Sequence, residues 1–152
     1  MKKRVIILIV ALVLVIGVTV GGFIYDRSDL LIARTTGIMF EEGYDIVTIH
    51  KHGFIFRRSG YEAKVRVPHD DPVKVIDAIY DRFGAEGAFL TYADYYVLSK
   101  QLFEGERLVP KVESGSNVWT CGIEFEDKQN LYFVLVSEDP ENAYVYIYYS
   151  RY

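Results

Sequence analysis

From Val5 to Tyr25 the chain carries no charged side chain, and its apolar residues run on without a polar face. As a helix rising about 1.5 Å per residue, such a run of about 20 residues crosses the ~30 Å hydrocarbon core of a bilayer. A helix also satisfies its own backbone groups, as lipid demands. Lys2, Lys3 and Arg4 precede the run, and Asp26 and Arg27 follow it. This basic flank predicts residues 1–4 in the cytoplasm, a signal anchor over 5–25 and the remainder outside the membrane. A cleaved signal peptide, and so a secreted domain, fits less well. Its apolar core is shorter, and Thr19-Val20-Gly21 is only a poor substitute for a small-x-small cleavage box.

Beyond the anchor the pattern changes. Residues 26–44 read as a juxtamembrane connector, with a short helix over Asp29–Thr36 that Ser28 caps and Gly37 ends. Its Leu30, Leu31 and Ile32 suit either the membrane surface or the domain. Residues 45–152 make up the extracytoplasmic domain. Asp45–His50 reads as a strand, Lys51-His52-Gly53 as a turn, Phe54–Arg58 as a strand and Ser59-Gly60 as a second turn. Tyr61–Val67 alternates, with Tyr61, Ala63, Val65 and Val67 on one face and Glu62, Lys64 and Arg66 on the other.

Pro72 opens a helix behind Asp70-Asp71, and Gly84 closes it. Val73, Ile76, Ile79, Tyr80 and Phe83 are taken as its apolar face. Thr91 caps a second helix carrying Tyr92, Tyr95, Tyr96, Leu102 and Phe103; a strand through Phe89–Tyr92 is the alternative. Leu108–Glu113 suits a short strand. Val118–Phe125, Leu131–Ser137 and Ala143–Tyr149 form a meander, and Leu131–Ser137, apolar on both faces, belongs at its centre. Strands in runs rather than alternating with helices predict an α+β fold. The expected architecture is an N-terminal transmembrane helix followed by one small domain, a mostly antiparallel sheet with one or two helices packed on it.

Composition narrows the function. A chain that is 51% hydrophobic is not disordered. A single cysteine excludes a disulfide scaffold and cysteine-rich metal sites. With Lys2, Lys3 and Arg4 set aside, 14 basic side chains face 21 acidic ones, a net charge of −7. That argues against nucleic acid and is compatible with cationic partners or simple solubility. P-loop, dinucleotide glycine, HExxH, G-x-S-x-G and S-x-x-K motifs are absent, so no cofactor is expected.

Three groups of residues carry possible chemistry. His50 and His52 are two apart, so a strand would put both imidazoles on one face toward a metal, with a third ligand from His69, Asp70 or Asp71. The competing reading makes them turn residues. Thr120-Cys121 on a strand, with His69 upstream in an anchored chain, resembles the sortase transpeptidases. The likeness covers a handful of residues, without the family's Leu in its Thr-Leu-x-Thr-Cys motif or its Arg soon after the Cys. It implies a cysteine-dependent transpeptidase or hydrolase using Cys121 and a histidine; otherwise Cys121 is a small buried hydrophobe.

Finally, the chain holds 13 Tyr, 9 Phe and 1 Trp. Tyr144, Tyr146 and Tyr148 share one face of the last strand and could bind a glycan, a peptide or a partner protein. Alternatively, the rings simply cover the sheet. Gly17-x-x-x-Gly21 would let a second membrane helix approach the anchor. The expected function is a membrane-anchored, non-catalytic extracytoplasmic binding module, with the cysteine enzyme as the alternative.

Overall fold

The structure, a computed structural model, describes residues 2–38, 43–54, 57–68, 72–137 and 142–151. The apolar run forms α1 (Lys2–Tyr25). Its large apolar side chains from Val5 onward stand 51–69% exposed, whereas a core helix of a soluble protein would bury them. After a turn, α2 (Ser28–Thr36) begins. Ser28 lies inside this helix; Arg27 occupies the capping position and makes no side-chain cap. Gly37 ends it in the left-handed region at φ 71°. Leu31 and Ile32 are fully buried, so α2 packs on the domain.

Strand β1 (Asp45–Phe54) pairs with β2 (Arg57–Val67). The two turns expected at Lys51–Gly53 and Ser59-Gly60 are not there: both segments continue as strand. The glycines have other roles. Gly53 takes φ 79° where the register shifts, the signature of a bulge. Gly60 makes room for β6, since a Cβ there would run into the Tyr149 carbonyl oxygen.

α3 (Pro72–Phe83) buries Val75 and Ile79, with Ile76 and Phe83 packed beside them. Val73 and Tyr80, assigned above to the same face, are 64% and 51% exposed. At about 100° per residue they fall roughly 100–120° from Ile79, beyond the buried stripe. The expected cap at Asp70-Asp71 lies outside the described residues. β3 (Ala88–Leu90) and α4 (Tyr92–Leu102) both form, so the strand and helix readings hold side by side. The Thr91 hydroxyl accepts the Asp94 N–H and caps α4.

Residues 108–113 form no strand. They cross the sheet as extended chain, and side chains rather than a strand neighbour satisfy part of their backbone. Tyr148 Oη donates to the Leu108 carbonyl (2.6 Å) and Tyr95 Oη to that of Pro110 (3.2 Å). β4 (Val118–Glu124), β5 (Gln129–Ser137) and β6 (Ala143–Arg151) complete a six-stranded antiparallel sheet in the order β1-β2-β6-β5-β4-β3. With four helices among the described residues, the chain is an α+β protein.

β5 lies inside the sheet and is buried on both faces. On one side Leu131, Phe133 and Leu135 join Tyr61, Ala63, Val65, Val145 and Ile147 beneath α2 and α3. On the other, Val134 and Val136 join Val118 and Tyr146 beneath Tyr95 of α4, Phe103, Leu108 and Val112. Phe133→Ala is expected to destabilise the detergent-solubilised chain by about 3–5 kcal/mol. Val73→Ala should change stability by less than about 0.5 kcal/mol. Denaturation midpoints of the two variants check both assignments.

Candidate functional site

β2 places Glu62 on the face away from α2 and α3, in register with His50 of β1 and Tyr148 of β6. The alternation reads Glu62 as solvent-facing, yet it is only 2% exposed. The cover is the run following α4. Gly105 turns the chain at φ 88°, and Glu106 to Leu108 then pass over Glu62. Arg107 and Leu108 donate their backbone N–H groups to Glu62 Oε2 at 2.7 and 2.6 Å. Leu108 is thus held twice, through its N–H by Glu62 and through its carbonyl by Tyr148.

The other carboxylate oxygen is less well served. Glu62 Oε1 lies 3.0 Å from His52 Nε2. It is fully buried and accepts no hydrogen bond, so this contact is not aligned as one. Glu106 completes the cluster: one ligand atom each from His52, Glu62 and Glu106 lie within 4.8 Å of one another. Partial burial, and then the adjoining Glu62 carboxyl, push the Glu106 carboxyl up to about 7. The cluster opens to solvent through a crevice of about 470 Å³, with Tyr148, Ser150 and Arg151 in its walls. A second crevice of about 560 Å³, lined by Phe103, Tyr132 and Tyr148, shares Glu106 and Ser150 with it.

The residues singled out from sequence are distributed as follows. His50 and His52 both sit on β1, and only His52 enters the cluster. His69, Asp70 and Asp71 lie outside the described residues. Cys121 is free and buried in the core beneath α2 and α3, and burial pushes its thiol up, away from the thiolate. Four strand spacings of about 4.8 Å, roughly 19 Å, separate β4 from β1, and Glu62 with its His52 partner belongs to the opposite face. The structure therefore does not bring Cys121 to His50 or His52.

The three tyrosines share a face, as the alternation predicts, but not an environment. Tyr146 is 3% exposed; Tyr144 and Tyr148 are half-buried. The Lys64 ammonium lies 4.0 Å from the Tyr144 ring centre, a cation–π contact. Neither Glu62 nor Glu106 is among the site candidates drawn from the sequence. No local signal marks them, because a loop 44 residues along the chain buries the first and supplies the second.

A third cavity, of about 830 Å³, lies where α1 meets the domain, with Arg34, Arg82, Arg151 and Asp26 among its lining residues. No family model matches this chain, and neither a curated protein nor a solved structure matches it.

Two outcomes check this geometry. In chelator-treated protein, the fold keeps a proton on Glu106 that the unfolded chain releases near 4.5. Stability should fall as pH rises between that value and about 7. Glu106→Gln should flatten this fall, shrinking the Tm difference between roughly pH 5 and pH 8; an undiminished difference would contradict the pairing with Glu62. Separately, maleimide should label Cys121 only after denaturation. Rapid labelling of the native protein would show the β4 core open.

Proposed function

We propose that this chain is a membrane-anchored binding module, with residues 1–4 in the cytoplasm, residues 5–25 as an uncleaved anchor and the domain outside. The observation that carries the proposal is the exposed apolar helix α1 ending directly on the domain. Lys51 Nζ donates to the Asp26 carbonyl. The Arg34 guanidinium lies 3.6 Å from the Tyr25 ring centre. These contacts hold the domain against the end of the span. The basic flank before the span supports the orientation.

The ligand surface is the aromatic crevice beside Tyr148, on the same sheet face as the half-buried Tyr144; Tyr146 between them is buried and holds the face together. Phe103, Tyr132 and Tyr148 offer apolar rings, and Glu106 and Glu124 add carboxylates. Rings beside carboxylates suit a basic side chain of a peptide or protein partner. The net charge of −7 over residues 26–152 favours such a partner through longer-range attraction.

Ser114→Cys in a Cys121→Ser background should react with an impermeant maleimide on intact cells, whereas Lys3→Cys should not; the reverse pattern overturns the orientation. A photo-crosslinking residue at Tyr132 should give a discrete adduct that one at exposed Val73 does not. Equal labelling from both positions, or none from Tyr132, removes the crevice as the ligand surface.

A further inference from the structure

We infer that His52, Glu62 and Glu106 form a binding site for a divalent first-row transition-metal ion of the zinc class. The inference stands on this cluster alone and does not depend on the membrane orientation proposed above.

The first support is convergence. The three residues come from β1, from β2 and from the run after α4, yet one ligand atom from each falls within 4.8 Å of the others. The second is the state of Glu62. Its Oε2 is held by two backbone N–H groups, which fixes the carboxylate plane and leaves Oε1 aimed at the cluster. That oxygen is fully buried and accepts no hydrogen bond. A buried carboxylate oxygen that accepts no hydrogen bond, its near neighbour His52 Nε2 being misaligned, is costly, and a cation placed before it removes the cost. The backbone clamp on Oε2 is also the kind of outer support that orients a metal-ligating carboxylate.

The competing account is a simple ion pair between protonated His52 and Glu62. It fits less well on two grounds. The 3.0 Å contact is not aligned as a hydrogen bond. A single imidazolium would also balance only one of the two carboxyl groups once both are ionised. A divalent ion neutralises both carboxylates, and neutral His52 then serves as a ligand through Nε2.

Geometry and donor type select the ion. Two ligands about 2.1 Å from a common metal lie about 3.0 Å apart at the right angles of an octahedral shell and about 3.4 Å apart in a tetrahedral one. The 3.0 Å between His52 Nε2 and Glu62 Oε1 fits the first as it stands and the second after a shift of a few tenths of an ångström. The ligand atoms lie up to 4.8 Å apart, more than the ~4.2 Å that two ligands of one ion can span, so binding draws the three side chains slightly together. One imidazole nitrogen with carboxylate oxygens suits zinc, manganese, iron or cobalt; calcium and magnesium prefer all-oxygen shells. The crevice of about 470 Å³ supplies an entry path and room for waters to complete the shell. An ion held there ties the run after α4 to the β1–β2 hairpin and leaves open coordination positions toward the crevice.

The test uses the full chain in detergent micelles, stripped with a chelator and titrated with Zn²⁺ by calorimetry. One ion should bind per chain, with a rise in Tm. His52→Ala and Glu106→Gln, both outside the packed core, should each weaken binding at least about tenfold. His50→Ala, which alters a residue opposite Glu62 but outside the cluster, should leave affinity unchanged. Co²⁺ in place of Zn²⁺ should give visible ligand-field bands that His52→Ala alters. Absence of stoichiometric binding by the unaltered chain overturns the site. So does binding that survives both His52→Ala and Glu106→Gln, which would place the metal on surface carboxylates elsewhere.

Discussion

β5 is apolar toward both sides, with Leu131, Phe133 and Leu135 looking one way and Val134 and Val136 the other. Such a strand is stable only where both faces of its sheet are covered. The first cover is regular: α2 and α3 lay Leu31, Ile32, Val75 and Ile79 onto the sheet. The second is mostly irregular, because beyond Tyr95 of α4 it consists of the chain from Phe103 to Val112. An extended run with no strand partner must find hydrogen bonds from side chains. Tyr95 and Tyr148 supply two from below, and Glu62 accepts two more. The polar residues of the tyrosine face are thus committed first to holding a cover in place.

That solution has a consequence at Glu62. Burying a carboxylate is unfavourable unless its oxygens are satisfied. The backbone of residues 107 and 108 satisfies one oxygen, and the other is left facing His52 and Glu106. A demand of packing on one side of the carboxylate thereby creates an electrostatic demand on the other. The candidate site is the place where these two demands meet.

The site is also close to the end of the domain that meets α1. Lys51, next to His52, reaches Asp26 at the end of α1. Tyr149 and Arg151 line both the crevice over Glu62 and the cavity beside α1. Successive strand residues point to opposite faces, so neighbours on β1 serve different ends: Lys51 the junction with α1 and His52 the cluster.

The apolar run of 5–25, the alternation of Tyr61–Val67, the two-faced strand at Leu131–Val136 and the Thr91 cap were all legible, because each depends on neighbours a few residues away. They were enough to give the α+β class and the central position of β5. Glycine misled where its role was distant: Gly53 sits at a bulge, and Gly60 admits the backbone of β6, though both resemble turn residues. Glu62 misled for the same reason. Its place in the alternation put it on the right face, but whether that face met water depended on a cover arriving from residues 106–108. Local pattern determined which way each side chain points. Only the tertiary structure decided what it meets there, because burial and charge pairing are set by segments far apart in sequence.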